Sequence, residues 1–387
     1  MPLSSELIPR IAVLELSALR SAGVLGPDYE KAKVDRKGTP VHDLSGPVLF
    51  QRLSIARAKA SSGHVEVAVD ESFGEPLLGT SMGQPWDADA LVEQGTAAAR
   101  KRDRKLKFDA VRFVAYSFPK IALQFLLEER EVLMLELHTW IAVPPLQTYP
   151  RGDVPPGNFE RFSLLESLLD AERKARTATF RKRVRAWQSG KTGGLRVTSV
   201  ISAAALASVN FKVRLIDQRE LHYSPLDSDH SPCYELRGQQ TNVWCVAAST
   251  QMLLDFYRYT YDQVRIATEL HLGTLAAPTG LPYTNDGDVV TVIENLSSNS
   301  LDATMLTTPA FSLYVGEIRA NRPLISFIPG HSRSVAGYTQ STWSIVGGFT
   351  GLLVYDPWPP TSGVITRWEN FNTQTYRRAF TAVLKQV

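Results

Sequence analysis

A cysteine stands directly behind a tryptophan, at the head of an apolar helical pattern, in Gln239-Gln240-Thr241-Asn242-Val243-Trp244-Cys245-Val246-Ala247-Ala248-Ser249. The thiolate, not the thiol, is the nucleophile, and the unpaired N–H groups of a helix N-terminus lower a thiol's pKa. Gln239 lies six positions upstream. A side-chain amide held there can donate to the oxyanion formed when a thiolate attacks a carbonyl. Gln240 competes for the same role. Such a nucleophile needs a base, and the base needs a third group to fix its tautomer. Of the seven histidines, His331 has the best setting, in Pro329-Gly330-His331-Ser332-Arg333-Ser334-Val335-Ala336-Gly337-Tyr338 at the mouth of an apolar strand. Twenty-five positions later, Asp356 ends the run Val354-Tyr355-Asp356-Pro357-Trp358. There it can orient the imidazole, with Trp358 shielding the bond from water.

Each residue alone has a plainer reading. A cysteine beside tryptophan fills apolar space, a lone histidine serves a turn, and Asp-Pro ends a strand by binding nearby backbone N–H groups. The ordered set of four carries chemistry that no single member does.

As a set, these residues resemble the papain-like cysteine peptidases. The likeness is to the bacterial branch that includes bacteriocin-processing, double-glycine-type peptidases and related effector proteases. It rests on Gln239 with Trp244-Cys245, on Gly330-His331 leading into Gly337-Tyr338, and on Asp356-Pro357, and spans roughly Leu236 to Val387. The resemblance implies Gln239 as oxyanion donor, Cys245 as nucleophile, His331 as base and Asp356 as orienter, acting on a protein or peptide. The loop from Thr339 to Phe349 is longer than the shortest family members need. Acyl transfer to an amine, deamidation, and a catalytically inactive peptide-binding module remain open on the same fold.

The elements that must position these groups follow in order. Helices are predicted over Cys245 to Tyr257, Tyr261 to Leu270, Gly287 to Leu296 and Ala310 to Ala320. Strands are predicted over Leu324 to Ile328, Ser334 to Tyr338, Trp343 to Gly348, Leu352 to Tyr355 and Arg378 to Leu384. Helices first and an antiparallel sheet afterwards describe an α+β domain, residues 236–387, with a helical half followed by a sheet half. Before it stand a separate N-terminal α+β region (1–143), a Pro-rich linker (144–157), and a helix with strands (158–235) that can serve as propart or connector. In the first of these, Asp87 opens a helix, and Ala110 to Leu126 and Val132 to Val143 read as a hairpin. The loop around residues 223–234 is a plausible site of self-processing.

Composition narrows the classes. Hydrophobic residues make up 44% and charged residues 21% of 387, an ordinary globular balance with room for two domains or three. The net charge of +3 gives no argument for nucleic acid, and from Leu236 onward ten Lys/Arg face ten Asp/Glu. The basic runs Lys101 to Lys107 and Arg173 to Arg185 lack the aromatic pattern of a stacking surface and read as solvated helix faces. Two cysteines, Cys233 and Cys245, exclude a disulfide scaffold. Their spacing is not that of metal ligands, so neither metal nor cofactor is expected, and a bond between them would block the nucleophile. His230 sits in a Pro/Ser-rich loop, and Asp286-Gly287-Asp288 lacks the rest of a calcium loop and is expected to cap the following helix. No window approaches the roughly 18 apolar residues of a membrane helix. Together with the absence of a secretory-type leader, this makes a cytoplasmic protein the expectation, with signal-independent secretion still open.

Overall fold

Strand-forming runs dominate the N-terminal region as well as the C-terminal one. The computed structural model describes residues 3, 7–13, 33–35, 37–57, 60–82, 85–145, 161–189, 213–221, 234–343 and 347–385. Cys233, His230, the loop at 223–233, most of the linker, and most of Arg196 to Ile216, read from the sequence as one or two strands, lie outside these residues. The N-terminal region holds β1 (Lys33–Val34), β2 (Thr39–Asp43), β3 (Val48–Arg57), β4 (Ala60–Ala68), β5 (Leu77–Met82), helix α1 (Ala88–Arg102), β6 (Ala110–Ser117), β7 (Lys120–Leu127) and β8 (Arg130–Glu136). Helices α2 (Leu164–Ser167) and α3 (Asp170–Ser189) and strand β9 (Val213–Glu220) lead onward. The C-terminal region holds α4 (Cys245–Phe256), α5 (Gln263–Glu269), α6 (Asp288–Leu296), β10 (Leu301–Thr307), α7 (Phe311–Arg319), β11 (Leu324–Ile328), β12 (His331–Trp343), β13 (Gly347–Asp356), β14 (Val364–Asn370) and β15 (Arg378–Leu384). The fold is α+β, with a helical half preceding an antiparallel sheet half at the C-terminus.

The strands join in the order β10-β15-β11-β12-β13-β14-β5-β4-β3-β2-β6-β7-β8, with β1 on β3 and β9 on β12. Only the β2–β6 contact is parallel among these pairs. The junction between the N-terminal and C-terminal strands is β5 on β14, with Ile365 opposite Met82 and Thr366 opposite Ser81. Segments far apart in sequence therefore share one hydrogen-bonded surface.

Strands β2 to β5 and β14 were not expected from periodicity. On β3 and β4 the reason is visible: Arg52 pairs opposite Glu66, and the guanidinium Nε donates to its carboxylate at 2.9 Å. A cross-strand ion pair interrupts the apolar alternation yet supports the sheet. The run from Ala110 also breaks at Phe118-Pro119, giving β6 and β7, because proline has no N–H for the ladder. At the next turn Glu128 and Glu129 take φ of 51° and 63°, the double positive φ of a tight two-residue hairpin. Helix α1 starts as its sequence suggests, with the Asp87 carboxylate accepting from the Ala90 N–H at 3.0 Å. Helix α3 spends its arginines on neighbours: Arg181 pairs with Glu71 and Arg183 with Glu75, which docks it on the turn after β4. Those residues are thus not simply a solvated face.

Strand β12 is the long element that organises the site. Its first half pairs with β11 and its second half with β9, while β13 lies along its other edge. Helix α4 packs across β11 and β12. Among the described residues no helix is long and apolar enough to cross a membrane.

Candidate active site

The β11–β12 turn places His331. Ile328 lies opposite His331, leaving Pro329-Gly330 as the turn, and Gly330 takes φ of 67°, which favours glycine. Antiparallel pairing of β12 with β13 brings the first residues of one strand beside the last of the other, so Asp356 arrives next to His331. The imidazole Nε2 and the Asp356 Oδ1 are 2.6 Å apart, and both groups are buried. The same carboxylate oxygen accepts the Trp358 backbone N–H at 2.9 Å.

Cys245 is the first residue of α4 and a free, buried thiol. No side chain caps this helix at Trp244, so its N-terminal donors remain available to negative charge. Nε2 is committed to Asp356, the buried Nδ1 has no hydrogen-bond partner among the described residues, and His331 and Cys245 line the same cleft. Burial by itself pushes the Cys245 thiol up. His331, the Lys120 ammonium and the Ser332 backbone N–H more than offset that, and the thiol lies below its ordinary pKa. For His331, burial pushes down, but Asp356 and Cys245 outweigh it and hold the imidazole above its usual value. Opposite shifts on adjacent groups favour a thiolate–imidazolium pair.

Gln239 and Gln240 part company. Gln240 is exposed, with its backbone N–H donating to Gln263 Oε1 at 2.8 Å. Gln239 is fully buried, and its Nε2 donates to the Thr241 carbonyl at 2.7 Å. One of its two amide hydrogens is thereby used. The Gln239 backbone donates to the Pro357 carbonyl at 2.9 Å and accepts from the Thr361 N–H at 2.8 Å, which locks the glutamine segment to the loop behind Asp356. Gly238 permits this approach: a Cβ there would meet the Thr361 carbonyl carbon at 2.5 Å and the Ser362 nitrogen at 2.6 Å. Gly238→Ala is expected to destabilise the fold by about 1–3 kcal/mol through overpacking against backbone, measured as a lower urea midpoint with an unchanged m-value.

A cleft of about 270 Å³ opens over Cys245 and His331. Val243, Val246, Leu281, Phe327 and Ile328 give it apolar walls, and Lys120 and Arg377 bring charge to it. The segment Gly280 to Thr284 supplies another part of the lining. Much of Thr339 to Phe349 is strand rather than loop, in β12 and β13. Asp286 does not cap α6 with its side chain. It pairs with Arg377 at 3.0 Å and Arg378 at 3.2 Å on the cleft wall, and the Arg377 guanidinium stacks 3.8 Å from the Tyr283 ring centre. Among the described residues no group of three His, Cys, Asp or Glu side chains could hold a metal ion.

Sequence reasoning passed over Lys120, Glu136, Tyr283 and Arg377. The last two lie in the C-terminal part without a motif around them. Lys120 carried one weak signal, a lysine opening a strand in which only Gln124 interrupts the apolar run Ile121 to Leu127.

Residues 231–384 match the model of the Peptidase_C39 like family. That segment is the C39-like, papain-fold α+β portion of the chain, and the rest lies outside the match. No curated protein sequence matches the chain. Among solved structures, that of UfSP from C. elegans aligns with a TM-score of 0.27 and 13% identity, covering 44% of this chain and 35% of that one. The chain thus spans about a third of that protein's length.

Proposed function

We propose that the chain is a cysteine peptidase that cleaves peptide bonds with Cys245, His331 and Asp356. The observation that carries this reading is the buried His331–Asp356 pair, 2.6 Å apart, in one cleft with the free thiol of Cys245 at the head of α4. The Cys245 thiolate attacks the scissile carbonyl, forming a carbon–sulfur bond and an oxyanion. The Cys245 N–H and the second amide hydrogen of Gln239 receive that negative charge. His331 gives its proton to the leaving amine as the carbon–nitrogen bond breaks. It then takes a proton from water, which hydrolyses the thioester and restores the thiol. Asp356 keeps the imidazole oriented and stabilises its cation throughout.

The same enzyme can process itself near residues 223–234, freeing a product that begins close to Tyr234. One preparation tests both ideas. Wild type and Cys245→Ala are incubated with a mixed peptide substrate, and the products are read by mass spectrometry beside a gel of each protein. New peptide termini are expected only with wild type, and a shortened wild-type band marks self-cleavage. Equal cleavage by Cys245→Ala overturns the assignment. Products that gain an added amine in place of water move the reading to acyl transfer, and an inert wild type moves it to a peptide-binding module.

A further inference from the structure

Two groups of the N-terminal sheet reach the catalytic loops of the C-terminal domain. Lys120 opens β7, is buried, and donates through Nζ to the Gly330 carbonyl at 2.8 Å. Gly330 immediately precedes His331. Lys120 also lines the cleft that contains Cys245 and His331. Glu136, the last residue of β8, is fully buried and accepts from the Trp358 indole Nε1 at 3.2 Å. Trp358 follows Asp356 by two residues and donates its backbone N–H to that carboxylate. One hairpin therefore holds the residue before the base and the residue after the orienter, across separations of 210 and 222 positions.

Glu136 is held by further donors. The Tyr116 hydroxyl reaches it at 2.5 Å and the Thr139 hydroxyl at 2.8 Å. Burial pushes its carboxyl above the ordinary carboxylate range, while these donors and Lys120 act the other way. The charged and titratable groups around Cys245 include His331 on β12, Lys120 on β7 and Tyr116 on β6, with Tyr283, Asp286 and Arg377 lining the same cleft. Lys120 is the one that comes as an ammonium from the N-terminal sheet. A buried lysine is costly unless its charge meets an opposite one, and a cation beside a buried thiolate is worth far more than one in water.

We propose that Lys120 is a positioning residue of the active centre, which fixes the turn before His331 and adds a positive charge to the cleft beside Cys245, so that the N-terminal sheet completes the catalytic unit. This inference rests on Cys245 being the nucleophile. It gives the hairpin of residues 120–136 a part in the active centre.

Full-length wild type, Lys120→Met and Lys120→Arg are labelled with iodoacetamide at pH 6 and pH 9, and the peptide containing Cys245 is quantified over time. With the cation gone the thiol pKa rises, so Lys120→Met is expected to label about tenfold more slowly at pH 6, one pKa unit's worth of thiolate. At pH 9 it should approach the wild-type rate, and Lys120→Arg should follow wild type at both. A structural lysine would change the rate equally at both pH values, and that result, or no change at pH 6, overturns the inference. Should Lys120→Met lack a cooperative thermal transition, Lys120→Gln, which keeps a donor for Gly330 but no charge, carries the same expectation. If both neutral variants fail to fold while Lys120→Arg folds, the residue is structural and the inference fails. A wild type that does not label at pH 6 refutes the nucleophile itself, a separate outcome.

Discussion

His331→Ala lowers the rate of peptide cleavage by about 10²–10⁴-fold, the usual contribution of a positioned acid–base group. Two losses combine. The leaving amine has no proton donor, and the thiol loses the partner that opposed its burial. The Cys245 pKa therefore rises in the variant, and alkylation at pH 6 slows along with catalysis. Asp356→Asn separates orientation from charge. An amide oxygen can still accept from His331 and from the Trp358 N–H, but it no longer stabilises the imidazolium. Asp356 is the leading influence raising the His331 pKa against burial, so its neutralisation lowers that pKa. The protonated imidazole is then lost at lower pH, and the alkaline limb of kcat/KM moves down while the acid limb changes less. A pH–rate profile on the purified variants checks both statements. Wild-type cleavage by His331→Ala would remove the base from the mechanism.

Arg333→Met destabilises the protein by about 3–5 kcal/mol, the cost of leaving one half of a buried ion pair uncompensated. Arg333 lies two residues after His331 on β12 and is 1% exposed. Its guanidinium grips Glu369 of β14 with both terminal nitrogens, one at 2.9 Å. The Tyr376 hydroxyl adds a bond to the same carboxylate at 2.8 Å. Removing the arginine strands a buried carboxylate in the sheet that carries both His331 and Asp356. The double variant Arg333→Met/Glu369→Gln is expected to be less damaged than Arg333→Met alone, because the amide can still accept from Tyr376 and carries no charge to bury. Urea denaturation of the two proteins tests the order. If the single variant is as stable as wild type, the pair contributes nothing to the fold.

The helices of the C-terminal domain were legible because their apolar positions recur at helical spacing and their ends are marked. Gln263–Glu269 and Phe311–Arg319 each fall within one or two residues of the predicted bounds. Strand β11 matches its predicted span, since Leu324 to Ile328 is wholly buried and needs no polar alternation. β12 was read as a shorter segment, because Ser332, Arg333 and Ser334 are polar residues that the fold nevertheless buries. Arg333 is tolerated there only because Glu369 arrives from another strand, a partner that local pattern cannot reveal. The predicted strand over Trp343 to Gly348 meets instead the end of β12 and the start of β13.

For the proposed site, type and order of residues were enough to single out Cys245, His331 and Asp356 as candidates, with Gln239 or Gln240 as the donor. A nucleophile, a base, an orienter and a donor have distinct chemistries, and each stands in a local context that suits it. Sequence could not choose between Gln239 and Gln240, since adjacent residues before a helix face different ways only once the chain is packed. Nor could it give Lys120 and Glu136 any part. Their partners lie more than two hundred positions away, across the β5–β14 junction, and long-range pairing leaves no periodic trace. Local chemistry was written in the order of the residues, while the electrostatic setting of the thiol was decided by which distant strands the sheet brought together.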